Sequence, residues 1–408
     1  MSEREFDVIV YGATGFTGEL VAAYLLERYG CTRELNWAIA GRNAGKLADL
    51  KDSLGADAAS LQIVVADSDD GDALAELAAR TRVVLTTVGP YALYGSKLVA
   101  ACVTAGTHYC DLAGEVQWIR RMVDKHHERA VETGARIVHC CGFDSIPMDI
   151  GVFFLQQEAQ RLHGRFCEDI AMFVKATKGS ASGGTLASMM NIIREARENR
   201  DVVKVLADPY ALNPSGERDG PDGRDQQKVL YDEDAGCWTA PFIMAGVNTR
   251  VVRRSNALAD YPYGREFRYR EAVMTGAGGG GWLKGNLVAI GLGALATGIY
   301  FSPTRKLLQK FVLPKPGEGP DKKAQESGFF NLVQVGKLGD GTVIRSRITG
   351  DRDPGYGSTS KMLAESAVCL AKDALASSGG VLTPATAMGE PLLARLRKNA
   401  GLTFDVTG

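Results

Sequence analysis

The chain reads as an α/β protein: an N-terminal doubly wound parallel sheet over residues 1–150, then a second, α+β domain over 151–354 with a largely antiparallel sheet. Three observations carry this reading. Short apolar, β-rich runs alternate with helical periodicity from Phe6 to Gly151, the pattern of a parallel sheet covered by helices on both faces. The first run breaks into Gly12, Gly15 and Gly18 before helical spacing begins. Beyond Gly151 the runs alternate in and out, and Phe329–Gly350 reads as a hairpin about Gly339-Asp340-Gly341.

The first strand is the apolar run Phe6–Tyr11, and Gly12 begins a tight turn. Leu20, Ala23, Tyr24 and Leu26 then recur at helical spacing between Glu19 and Arg28. Gly12, Thr14, Gly15, Phe16, Thr17 and Gly18 therefore lie where a strand becomes a helix, in the spacing GxxGxxG. Backbone N–H groups at a helix N-terminus attract a pyrophosphate, and a Cβ on the turn would hold it off, so this is the dinucleotide site of a Rossmann domain. The second strand, within Asn36–Asn43, ends on Arg42, where an NAD site would carry Asp or Glu for the ribose 2′-OH. A guanidinium forks onto a 2′-phosphate, and Lys46 follows one turn later, so the expected cofactor is NADP. The third strand, within Leu61–Asp70, places Asp67 either to accept from the adenine amino group or to cap the helix near Ala73–Ala79. The fourth, Arg82–Gly95, carries Val88, Gly89 and Tyr91 near the switch point where the nicotinamide half binds, with a helix following from Ser96 to Ala105. Thr107–Glu115 and the strand-like Ala135–Gly151 complete the alternation.

In the second domain, Glu168–Gly179 and Glu266–Gly276 read as strands and Thr185–Asn199 as a helix, while Pro214–Gln227 and Leu313–Gly328 read as exposed loops. Thr359–Ser377 is helical again. An uncharged run from Gly285 to Pro303, rich in Gly and Ala, precedes Arg305, Lys306 and Lys310. It is marginal in length for a bilayer span, and three readings stay open: a helix buried in the domain or at a homodimer contact, a shallow membrane-associated helix, or a span. The cations after it suit an anionic leaflet, so the expected location is cytoplasmic, peripheral at the inner membrane face.

With 45% hydrophobic and 23% charged residues the chain is an ordinary folded one, not disordered or fibrous. A net charge of -1 without a basic stripe excludes nucleic acid as the expected partner. The eight cysteines lack CxxC spacing, which points to reduced thiols in a cytosolic protein and to no zinc site. The leader Met1–Asp7 is charged and too short for a signal peptide.

The stretches YGATGFTGEL, VVLTTVGPYALYG, YCDLAGE and CGFDSIPMDIG resemble the saccharopine dehydrogenase-like oxidoreductases, specifically their trans-acting enoyl reductase branch. The resemblance continues through SGGTLAS (Ser182–Ser188), NTRVVRRSNAL (Asn248–Leu258), YGREFRYRE (Tyr263–Glu271) and GGVLTPATAMG (Gly379–Gly389). It implies that residues 355–408 pack back on the first domain. It also implies reduction of an enoyl double bond on a lipid-like, carrier-bound precursor, in trans to a polyketide synthase that lacks its own reductase. Saccharopine is not implied as substrate, because no set of basic residues to grip two carboxylates stands out.

Enoyl reduction needs hydride at the β carbon, a proton at the α carbon and a donor to the thioester oxygen. Tyr91 is a candidate donor or a packed loop tyrosine. Asp144 and Asp111 sit at or just after strand-like runs, where functional groups gather, and each also reads as a helix cap. His139, inside an apolar run, reads as a core histidine, and Cys140 and Cys141 as buried thiols.

Overall fold

A computed structural model describes residues 4–31, 34–179, 183–301, 304 and 319–407. Ser182, Ser302, Pro303, Arg305, Lys306, Lys310 and positions 313–318 of the second expected loop lie outside the described residues.

The first sheet is built from β1 (Phe6–Tyr11), β2 (Trp37–Gly41), β3 (Gln62–Val65), β4 (Thr81–Thr86), β5 (His108–Cys110) and β6 (Arg136–Val138), joined by a seventh strand, β13 (Gly380–Leu382). All seven are parallel, in the order β13-β6-β5-β4-β1-β2-β3. Every residue of β1 is buried, with Val8 opposite both Trp37 and Val83, which is why its sequence is a continuous apolar run rather than an alternating one. The chain leaves β1 toward β2 and β3, then returns to lay β4 on the other side, so the topological switch falls between β1 and β4.

Three elements differ from the sequence reading. Helix α4 (Tyr91–Ala105) begins five residues before Ser96, because Pro90 sits at its N-cap and the Glu115 carboxylate accepts from the amides of Tyr91 (2.6 Å) and Ala92 (3.2 Å). The run Ala135–Gly151 is strand only over Arg136–Val138; from Ile146, with Pro147 in the first turn, it is helix α6 (Ile146–His163). That helix crosses residue 150. Its Gly151 lies so close to the second sheet that a Cβ would stand 2.4 Å from Ile348.

The second sheet comprises β7 (Asp169–Lys178), β8 (Leu230–Asp232), β9 (Cys237–Ala240), β10 (Arg268–Gly276), β11 (Phe329–Lys337), β12 (Val343–Gly350) and β14 (Leu402–Val406). Its order is β14-β12-β11-β7-β10-β9-β8, antiparallel throughout except where β7 meets β10. The C-terminal segment therefore serves both domains: it gives β13 to the first sheet and β14 to the second. Helix α12 (Gly357–Lys372) packs on α1 (Phe16–Tyr29) and on β4. Its buried Glu365 accepts from the hydroxyls of Tyr24 and Tyr29, both at 2.7 Å, and pairs with Arg395 of α13 (Pro384–Asn399).

The stretch Pro214–Gln227 is irregular but held down, since Asp222 and Asp225 reach 2.7 and 2.6 Å to the buried Arg253 and Arg250 of α9 (Ala245–Leu258). The apolar run forms α10 (Gly278–Tyr300), which is not a core helix: 11% of its apolar window is buried. Gly281 and Gly285 pack against Gly276, Thr275 and Val229 at one end, and Arg197 of α7 (Gly183–Glu198) donates to the Tyr300 carbonyl at the other. Both ends touch the same domain, so α10 lies along its surface.

Candidate active site

In a parallel sheet all the carboxyl ends share one edge, and here that edge carries the turns after β1, β4, β5 and β6. The three glycines of the first turn do three different jobs. Gly12 has φ +87, and a Cβ there would stand 2.6 Å from Val88, so it lets the turn fold tightly on the loop after β4. A Cβ on Gly18 would stand 2.2 Å from the Gly12 carbonyl, so it lets α1 approach the strand. Gly15 is exposed, and a Cβ would meet only that carbonyl, at 3.4 Å. The space in front of it is otherwise open. No side chain caps α1, which leaves its first amides facing that space, the arrangement that holds a pyrophosphate. Thr14 and Thr17 are half-buried beside it. The Phe16 ring packs edge-on to Tyr356 at 4.7 Å.

Beyond β2, Arg42 and Lys46 are exposed, and neither side chain has an ion pair or hydrogen bond to another described residue. The Lys46 amide donates to Asn43, the N-cap of α2 (Ala44–Ser53), which orients that helix start beside Arg42. Two unpaired cations at the end of β2 fit a ribose 2′-phosphate. Asp67 does not cap α3 (Gly71–Arg80); Asp70 does, accepting from Asp72 and Ala73, while Asp67 accepts from Asp69 in an Asx turn. Thr87 ties the β4 turn to β1 through its hydroxyl on the Gly12 carbonyl at 3.1 Å, which sets Val88 and Gly89 against the glycine turn.

The three acid–base candidates part company. The Tyr91 phenol is buried, stacks on Trp118, donates to the Thr86 carbonyl and accepts from the Leu112 amide at 3.1 Å; burial raises its pKa well above the phenol value. It is a packed tyrosine with its hydroxyl turned inward. Asp111 is fully buried and accepts from the Tyr109 hydroxyl, the amides of Ala113 and Cys140, and His139 Nδ1 at 2.7 Å, so it fixes the β5 and β6 turns together. His139 is its core partner, edge-on to Trp118. Asp144 behaves otherwise. It does not cap α6, whose N-cap is Ser145, and its half-buried carboxyl has no hydrogen-bond partner among the described residues; burial pushes it up to about 6.

Two site features escaped the sequence. Glu115 is buried, its pKa raised by that burial, and besides the α4 amides it accepts from Ser188 of α7 at 2.9 Å. At the same end of α7 the Gly183 amide donates to the Tyr356 hydroxyl, whose ring meets Phe16. Helix α7 thus lies across the carboxyl edge from the β1 turn to the β5 turn. A lone Glu after a strand carries no periodic signal, and only the fold brings it under Tyr91.

Comparison with known proteins agrees with this geometry. A family model described as the saccharopine dehydrogenase NADP-binding domain matches residues 8–138. A protein named trans-acting enoyl reductase from Mycobacterium bovis is 40% identical over 425 residues, covering 100% of this chain and 99% of its own. One of the same name from Mycobacterium ulcerans is 40% identical over 413 residues, covering 97% and 96%. Among solved structures, apo histidine-tagged saccharopine dehydrogenase (L-Glu forming) from Saccharomyces cerevisiae superposes with TM-score 0.53 at 13% identity, covering 98% of this chain and 99% of that one, which shows a shared fold. The protein is an NADP-dependent oxidoreductase, and it belongs to the trans-acting enoyl reductase branch of the saccharopine dehydrogenase-like family.

Proposed function

We propose that this reductase saturates the carbon–carbon double bond of an enoyl thioester on a long, lipid-like acyl chain, presented on a carrier in trans to a polyketide synthase. The observation that carries the reading is Asp144: an unpartnered carboxyl at the same edge as the glycine turn, pushed up to about 6 and so able to hold a proton for the α carbon near neutral pH. NADPH, when bound, supplies the hydride for the β carbon. The chain's own residues do the rest: Gly15 and the α1 amides hold the phosphates, Arg42 and Lys46 select the 2′-phosphate, and α7 covers the edge through Ser188 on Glu115 and Gly183 on Tyr356.

An amino-acid substrate needs free cations for its carboxylates, and the buried arginines nearby are committed elsewhere. Arg250 and Arg253 pair with Asp225 and Asp222, Arg120 pairs with Asp124, and Arg254 donates to the carbonyls of Leu212 and Val381. The relatives' names point the same way. The test is NADPH consumption with enoyl thioesters of increasing chain length, beside 2-aminoadipate semialdehyde with glutamate. Turnover of long enoyl thioesters is expected; turnover of the amino-acid pair alone would overturn the proposal.

A further inference from the structure

A helix that is apolar all round belongs inside a core or against lipid, and α10 is not inside a core. It carries no carboxylate from Gly278 to Tyr300, and its single charge is the exposed Lys284. One stripe, through Gly281, Gly285 and Ile299, is turned to the protein. The opposite stripe presents Trp282 (49% exposed), Leu283, Leu287 (63%) and Ile290 (66%), and continues into Tyr300 and Phe301. The edge strand β8 adds Leu230 and Tyr231, both more than half exposed, beside the Val229 that packs on Gly285. Aromatic rings stand at both ends, Trp282 and Tyr300, about 27 Å apart at the helical rise.

From this geometry we infer that α10 is a docking surface for an anionic lipid bilayer, lying in the plane of the interface with its Leu287–Ile290 stripe among the acyl chains. In-plane helices sink their apolar face about 5–10 Å into the headgroup boundary and keep a polar face toward water; here the protein body takes the place of that polar face. The contacts that fasten both ends to one domain favour this in-plane arrangement over a span. Charge selects the occupant. Cations stand at both ends, Lys284 at one and Arg197 at the other, where its guanidinium lies 5.0 Å from the Tyr300 ring centre, and the sequence runs on into Arg305, Lys306 and Lys310. Two copies pairing through this helix would bring like charges together, whereas an anionic leaflet meets opposite charge. Because Arg197 ends α7, the lipid-facing helix is joined to the helix that covers the nucleotide edge.

The test uses the full chain with NADPH bound and needs no turnover, so it stands or falls apart from the proposed reaction. Co-sedimentation is measured with phosphatidylglycerol/phosphatidylcholine vesicles and with phosphatidylcholine alone. The wild type should bind the anionic vesicles at least tenfold better, and the double variant Leu287→Glu, Ile290→Glu should lose that binding while keeping NADPH affinity and thermal midpoint. Quenching by brominated lipid supplies a second readout: Trp37 and Trp118 are buried and Trp238 is half-buried, whereas Trp282 is half exposed, so the quenched emission should fall in the Trp282→Phe variant. Equal binding by the variant, or wild-type protein that neither sediments with anionic vesicles nor is quenched, overturns the inference. So does a wild-type dimer in light scattering that the variant splits with no vesicle binding in either.

Discussion

Replacing two glycines three residues apart in the same turn, Gly15 and Gly18, should separate binding from folding, and the structure sets the size of each effect. Gly15 has φ -89 and ψ 156, an extended conformation open to any residue, and a new Cβ would touch only one carbonyl, at 3.4 Å. Gly15→Val should therefore leave the fold within about 1 kcal/mol of wild type. The same side chain fills the space in front of the α1 amides. Losing two amide–phosphate hydrogen bonds, each worth about 1.5–3 kcal/mol with a charged acceptor, removes about 3–6 kcal/mol, a weakening of NADPH binding by about 10² to 10⁴. Gly18→Ala is the reverse case: its Cβ would stand 2.2 Å from the Gly12 carbonyl, a backbone atom with no rotamer to escape into. Overpacking of this kind costs about 1–3 kcal/mol, which lowers the thermal midpoint by several degrees. NADPH fluorescence titration reads the first effect and thermal unfolding the second. Gly15→Val binding NADPH within threefold of wild type would refute the assigned roles, as would Gly18→Ala with an unchanged midpoint.

Arg42→Asp should cost NADPH about tenfold to a hundredfold in affinity while NADH is unaffected or gains, because about 1.5–3 kcal/mol rests on the charged hydrogen bonds to the 2′-phosphate; equal wild-type affinity for the two cofactors, read by titration, would refute it. Asp144→Asn should lower kcat/KM for an enoyl thioester by about 10² to 10⁴ with NADPH binding intact. In the wild type kcat/KM should fall as pH rises through about 6, since a donor must hold its proton; a flat profile from pH 5 to 8 in both proteins would remove Asp144 from the chemistry. Glu271, buried between the Tyr269 hydroxyl and Asn248, is pushed up to about 8, above its ordinary value of 4.5. The folded state thus keeps a proton that the unfolded chain has lost, so this group's stability is complete below about 4.5 and is lost as pH rises to about 8, at about 1.4 kcal/mol per unit. Glu271→Gln should flatten that fall in thermal midpoint; a variant whose midpoint keeps the wild-type slope would show the carboxyl is ionised.

What the sequence made legible is what local pattern encodes. The buried strand and glycine turn at Phe6–Gly18 are visible because a strand covered on both faces must be apolar throughout, and because only glycine permits the contacts at Gly12 and Gly18. Arg42 was legible for the same reason: its place follows from counting along one strand. Tyr91 and Asp111 were not, because their setting depends on residues far off in the chain. Tyr91 reads equally well as a donor or a packed ring until Leu112 and Trp118 are seen around its phenol, and Asp111 reads as a cap until His139 and Tyr109 close on it. The strand β13 was hidden by its brevity, three residues borrowed from 244 positions away to finish the first sheet. Burial decides chemistry in the same long-range way. Asp111 and Asp144 flank one sheet edge, yet among the described residues four donors converge on the first and none on the second. A carboxyl surrounded by donors is held in place and has no lone pair to spare, while one that is desolvated without them keeps its proton to higher pH and can supply it to a substrate that arrives beside it.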